Sequence, residues 1–157
     1  MKFTRFVVLA AAAAAFSSTA SAQKAVTLDL AQTMAQEAMA TCRTNGFKVT
    51  VLVVDALNMP KALLRDDGAT ASTTEMAKMK ATATMLYNRP SGPPQQPPPG
   101  VAAPPAVIAG TVNAMGAVPI KSGDTTIGAI AVSGAPGGDK DAVCANAALA
   151  KVADKLK

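Results

Sequence analysis

Histidine and tryptophan are absent from this sequence, and tyrosine occurs once. Without histidine there is no Ser–His–Asp or Cys–His constellation, no His-ligated zinc and no histidine axial ligand for haem. With a single tyrosine there is no aromatic surface on which bases could stack. The positive residues are scattered rather than gathered into a stripe, so nothing points to nucleic acid. No Gly-Lys-Ser/Thr follows a glycine-rich turn, which excludes a P-loop. No Cys or Asp cluster has metal-ligand spacing, so no metal site is expected. Val132-Ser133-Gly134-Ala135 lacks the G-x-S-x-G pattern. Asp66 and Asp67 are adjacent and would point to opposite faces of a strand, so they read as turn residues rather than an acid/base pair. No catalytic residue is identified.

What is present begins with an export address. Lys2 and Arg5 form a positive start, and Phe6 to Phe16 is an uncharged apolar run of 11 residues. That run is well short of the roughly 20 residues a membrane-spanning helix needs. Ala20-Ser21-Ala22 then offers a cleavage site before Gln23. Residues 1–22 therefore read as a signal peptide. The mature chain would be periplasmic or secreted, with no membrane insertion after cleavage. Its 135 residues suit one domain. With thirteen basic and ten acidic residues, its charge is +3. Two cysteines remain, Cys42 and Cys144. In an exported protein they could form a disulfide. They could equally be two small buried side chains on helix faces, and the spacing leaves both readings open.

Apolar positions Ala31, Met34, Ala35, Ala38, Met39 and Cys42 describe a helix stripe between Thr27, a natural N-cap, and Gly46, a natural stop. Val49 to Val54 reads as a strand buried on both faces. Asp55 to Pro60 has turn chemistry and Lys61 to Arg65 a second short strand, together a hairpin. Ser72 with Glu75 suggests a capping box. The helix behind it would present Met76, Met79, Ala83 and Leu86 on one face and stop before Arg89-Pro90. Pro90 to Pro105 holds eight prolines in sixteen residues. The stretch at about 89–114 is therefore expected as an extended proline-rich loop. Ala117 to Lys121 and Thr125 to Ser133 form a second hairpin about Ser122-Gly123-Asp124. Asp139 would cap a last helix with the stripe Ala142, Ala145, Leu149, Val152, Ala153 and Leu156.

The order α-β-β-α-loop-β-β-α indicates an α+β fold, an antiparallel sheet covered by helices. Its core is made of Ala, Val, Leu and Met, which bury little area per residue compared with aromatics. Part of the surface is therefore expected to be covered by another subunit in a homo-oligomer. Gly134-Ala135-Pro136-Gly137-Gly138 lies between a strand and a helix N-terminus. Its backbone N–H groups could hold a carboxylate or phosphate, or it could simply be a turn entering the helix. Arg65 and Lys80 could add cationic contacts to an acidic ligand.

These residues resemble a known family. Val53-Val54-Asp55 and Leu63-Leu64-Arg65-Asp66-Asp67-Gly68-Ala69 are similar to the first hairpin of the GlcG/HbpS haem-binding-like family. Ala77, Lys80 and Ala81 match the following helix. Gly128-Ala129-Ile130-Ala131-Val132-Ser133-Gly134-Ala135 is close to the family's G-A-I-G-V-S-G-A signature. Asn58 stands where that hairpin often has Gly, Asp66 where Met is usual, and Met79 where an acidic residue is usual. The resemblance implies a profilin-like α/β sandwich that oligomerises and binds a small ligand, haem in some members. A related domain is appended to cobalamin adenosyltransferases. The candidate ligand contacts are Arg65, Asp67, Gly68, Lys80, Gly134, Gly137 and Gly138.

Absence of nucleophile and base favours a binder over a catalyst. The leading expectation is an exported protein binding haem or another small ligand. If haem binds, axial ligation falls to Met, Tyr87, a Cys thiolate or a hydroxyl. The alternatives are an enzyme or enzyme accessory acting on a small organic acid, and an interaction module that docks a partner through the proline-rich loop.

Overall fold

The computed structural model describes residues 24–93, 99–100 and 108–157. The expected signal peptide and its cleavage site lie outside the described residues, as do residues 94–98 and 101–107 of the proline-rich stretch. Helix α1 spans Leu28–Thr44, and the Thr27 hydroxyl accepts from the Leu30 N–H at 3.2 Å, as a capping residue should. Strands β1 (Thr50–Asp55) and β2 (Pro60–Arg65) follow as a hairpin. Asn58 takes φ 59° at its tip, the left-handed conformation that Asn tolerates better than most residues. Helix α2 (Ser72–Tyr87), strands β3 (Ala117–Ser122) and β4 (Thr125–Ser133), and helices α3 (Gly138–Lys151) and α4 (Ala153–Leu156) complete the chain.

The four strands form one antiparallel sheet in the order β2-β1-β4-β3. Side chains alternate across it. Val51 and Val53, with their β4 partners Val132 and Ile130, pack under α1 and α3. Leu52 and Val54, with Ala131 and Ala129, pack under Ala77 and Ala81 of α2. The fold is thus three layers, α1 and α3 on one face and α2 on the other. The expected order of elements and the antiparallel sheet are both found. On the α2 side Ala77 and Ala81 share a cluster with Ala129 and Ala131, and such small residues let the helix lie close to the sheet.

Four local expectations are corrected. The packed face of α2 is not the methionine stripe: Thr73, Ala77, Lys80, Ala81 and Thr84 are buried with Ala83, whereas Leu86 is 53% exposed. The Ser72–Glu75 capping box does not form, because Ala71 is the N-cap and the Ser72 hydroxyl pairs instead with that of Thr70 at 3.0 Å. Asp139 does not cap α3; it stands in the first turn, and the helix begins behind Gly137. The last helix also breaks at Val152, so α4 is separate from α3. The inner face of α3 is Asp141, Cys144, Ala145 and Ala148.

Between the two readings of the cysteines, the structure selects the bridge. Cys42 on α1 and Cys144 on α3 form a disulfide with a Cα–Cα distance of 5.6 Å, and both are fully buried. It ties together the two helices that share one face of the sheet. Across a sequence separation of 102 residues, the chain-entropy model gives about 4–5 kcal/mol of stabilisation. Cys42→Ala with Cys144→Ala should therefore lower the unfolding free energy by that order in urea titration. Adding reductant to the double variant should then change nothing.

Candidate functional site

The β1–β2 hairpin puts β2 at the edge of the sheet, and α1 lies beside it. Between them is a cleft of about 610 Å³ lined by Gln36, Met39, Ala40 and Arg43 from α1 and by Leu63, Leu64 and Arg65 from β2. That volume lies in the range of small-ligand sites. Leu64 pairs across the ladder with Val51, so its side chain lies on the α1 face. Of the lining residues only Met39 is buried, at 5% exposed; the others reach solvent. Arg65 pairs with Thr50, whose hydroxyl meets that of Thr73 on α2, and Leu63 pairs with Leu52. Both side chains therefore turn to the α2 face and border the cleft by their backbone. The cleft combines an apolar body with the Arg43 guanidinium.

Both arginines are held. Asp66, only 3% exposed, accepts from Arg43 Nε at 3.1 Å and from Nη2 at 2.7 Å, a two-point fork. Lys48 Nζ lies 3.7 Å from Oδ2 of the same carboxylate. The Arg43 hydrogen bond is the main reason the Asp66 carboxyl is held below the ordinary carboxylate range, and Arg43 is raised for the same reason. Arg65 Nη1 donates to the Ala69 carbonyl at 2.6 Å, anchoring the guanidinium to the turn after β2. Asp67 and Gly68 are exposed in that turn, with Gly68 at φ +85°.

Lys80, expected as a ligand contact, lies elsewhere and inward. It is 3% exposed on α2. Its Nζ donates to Asp141 Oδ2 at 2.6 Å and to the Val132 carbonyl at 2.9 Å. Asp141, also 3% exposed, uses its Oδ1 to accept from the Ala135 N–H at 2.9 Å. Burial pushes the Asp141 carboxyl up, while Lys80 and the Ala135 N–H pull it down. Gly116 passes so close that a Cβ there would lie 2.7 Å from Lys80 Nζ and from the Val132 oxygen. This pair joins α2 to α3 past the end of β4.

The loop holding Gly134, Gly137 and Gly138 is thereby filled from within. Its Ala135 amide is taken by Asp141, and Asp139 and Asp141 bring two carboxylates into the first turn of α3. An incoming anion would meet like charge there. Gly134 is required by backbone geometry: its φ is +131° and a Cβ would lie 2.4 Å from the Lys48 carbonyl. The structure supports the turn reading of this segment. Of the expected ligand residues, Arg65 alone lines the cleft.

The sequence reading missed Gln36, Met39, Ala40, Arg43, Leu63 and Leu64 as site residues, and Asp66 as the group that fixes Arg43. One signal was present. Two adjacent leucines on a short strand place one on each face, so one of them lies outside any single core layer. Among the described residues no group of three or more His, Cys, Asp or Glu could hold a metal ion, and no helix is long and apolar enough to cross a membrane.

Residues 26–150 match the family model described as haem degrading protein HbpS-like. Among solved structures, a double mutant of HbpS from Streptomyces reticuli is 26% identical, covering 92% of this chain and 99% of that one at a TM-score of 0.71. Protein ORFY of Klebsiella pneumoniae is 24% identical, covering 83% and 93% at a TM-score of 0.68. PduOC, solved as a heme complex, is 19% identical, covering 81% and 94% at a TM-score of 0.68. No curated protein sequence matches. The family match covers most of the chain, and this protein belongs to the HbpS-like family.

Two variants test the electrostatics. Lys80→Met leaves the Asp141 charge buried without its partner and should cost about 3–5 kcal/mol at neutral pH. Adding Asp141→Asn should recover part of that loss in urea unfolding, because the stranded charge is gone. For Asp66, whose folded pKa is depressed, the stabilisation is present above its unfolded value of about 3.9 and is lost as pH falls through the folded one. Asp66→Asn should be less stable at neutral pH, and should lack that part of the wild-type loss in stability below about pH 4, followed by thermal unfolding across pH.

Proposed function

We propose that this HbpS-like chain is an exported haem-binding protein that holds the porphyrin in the cleft between α1 and β2. The observation that carries the reading is the cleft itself. Haem is a flat apolar ring bearing two carboxylates, and here an apolar lining lies beside Arg43. Arg43, already forked onto Asp66, contributes positive potential more than a free donor set. The thioether at the cleft, Met39, is 5% exposed and packed into the core, so this lining would hold the ring and its carboxylates rather than the iron. When bound, the haem would supply its redox-active iron; the chain's own residues orient the ring and neutralise its carboxylates.

Family membership supports a haem ligand, and export has two independent supports. One is the signal-like sequence of residues 1–22. The other is the buried Cys42–Cys144 bridge, since such bonds form and persist in oxidising compartments. Self-association has its support in large apolar side chains left at the surface, among them Leu57, Leu86 and Val143.

Hemin titration of the purified mature protein should give a saturable Soret shift. Arg43→Gln should weaken binding about tenfold, as expected for loss of the cleft's positive charge. Light scattering on the same sample should read more than one subunit. Absence of saturation at a few equivalents of hemin would remove haem from the reading.

A further inference from the structure

We propose that the open edge of β2 is the surface on which two copies of this chain join, as antiparallel β2 strands about a two-fold axis; this rests on the self-association reading above and names its surface. The two edges of the sheet are built differently. The order β2-β1-β4-β3 leaves β3 and β2 outermost. On β3, the Val132 N–H donates to the Gly116 carbonyl at 2.8 Å, and bonded pairs alternate from there. Ala117 and Pro119 therefore turn their backbones outward, and both positions are blunted. Ser91 donates its N–H to the Ala117 carbonyl, and its hydroxyl accepts from the Ala117 N–H, each at 2.9 Å. Pro119 has no N–H to offer. Blunting of this kind keeps an edge from pairing with another chain.

The β2 edge has no such device. The Asp66 N–H donates to the Val49 carbonyl at 2.9 Å. Alternation from that pair makes Leu64 and Ala62 bond inward to β1, while Leu63 and Arg65 point N–H and C=O away from the sheet. No hydrogen bond to either of those backbones is found among the described residues. Apolar side chains flank this open edge on both faces. Leu64 lies on the α1 side and Leu63 on the α2 side, 36% and 41% exposed.

Charge selects a second copy and its register. The strand begins at Lys61 and runs into Asp66-Asp67. An antiparallel copy brings these unlike ends together, whereas a parallel one would set Lys61 beside Lys61. Three antiparallel registers join the outward groups: Leu63 with itself, Arg65 with itself, or Leu63 with the partner's Arg65. The first sets Arg65 toward the partner's Lys61, and the second opposes two arginines, so both bring like charges together. The third bonds Leu63 to the partner's Arg65 twice. It also turns Lys61, which lies 3.9 Å from Asp55 of its own hairpin, toward the partner's Asp67, and it places the two Leu64 side chains on the axis. Because Leu64 lines the α1–β2 cleft, the open side of each cleft then faces the other copy. A ligand held there would be walled by two chains.

The test uses the mature protein. Leu63→Pro removes an outward N–H without breaking a bond to β1, and should raise the subunit dissociation constant roughly tenfold or more in light scattering across concentration. Leu64→Cys places two thiols in a non-bonded pair with Cα atoms about 4.5 Å apart, within reach of a disulfide. Mild oxidation should convert it to a covalent dimer on a non-reducing gel. Leu57→Cys, at the hairpin tip and 82% exposed, should stay uncrosslinked. The crosslink decides the matter even where Leu63→Pro fails to fold. If the unmutated protein is oligomeric but Leu64→Cys gives no covalent dimer, or Leu57→Cys gives one as readily, this surface is overturned and self-association stands. A monomeric unmutated chain would overturn both, and would leave the edge to a strand of a different protein.

Discussion

Strands β1 and β4 pair along six residues, from Thr50 with Ser133 to Asp55 with Gly128, and β1 has almost no face left to solvent. This pairing determines both layers of the molecule. Side chains alternating from one strand pair must satisfy α1 and α3 above and α2 below. A shift of register by one residue would exchange Val51 and Val53 for Leu52 and Val54 and leave neither side packed. The same pairing sets β2 at the edge, because β1 has only one neighbour left to take. The cleft exists because that edge strand is flanked by α1 and by nothing on its outer side in the sheet order.

Two cross-links hold the layers in place over this pair, and they differ in chemistry. On the α1 and α3 face the bond is covalent, Cys42 to Cys144. Between the faces it is electrostatic, Lys80 of α2 to Asp141 of α3, with Val132 of β4 as the second acceptor. A core short of aromatic side chains draws less from burial alone, so these links matter more than they would in a larger-residue core. Asp66 is a third device of the same kind at the cleft. It is a buried carboxylate whose two-point grip fixes the direction of Arg43. In both electrostatic cases a charged group inside the protein is stabilised by partners far from it in the chain.

That distance explains what the sequence could and could not tell. The central strands, the hairpin tip at Asn58, the α1 cap at Thr27 and the limits of β4 were legible, because each rests on residues within a few positions. The face of α2 was not. Met76, Met79, Ala83 and Leu86 have helical spacing, but the face that packs is Thr73, Ala77, Lys80, Ala81 and Thr84. Local periodicity reads Lys80 as outside, and only Asp141, 61 residues away, turns it inward. Asp66 was read as a turn residue for the same reason, since Arg43 lies 23 residues before it. Of the candidate site, the sequence alone offered Arg65. The cleft is made by α1 meeting an edge strand, and strand order is a property of the whole sheet.

The central claim is that the ligand lies between α1 and β2, and chemical-shift mapping tests it most directly. Titrating the isotopically labelled protein with diamagnetic gallium protoporphyrin should shift the backbone amides of residues 36–43 and 63–65. Shifts gathered instead around Pro119, Lys121 and Leu149, or along α2, would contradict the account.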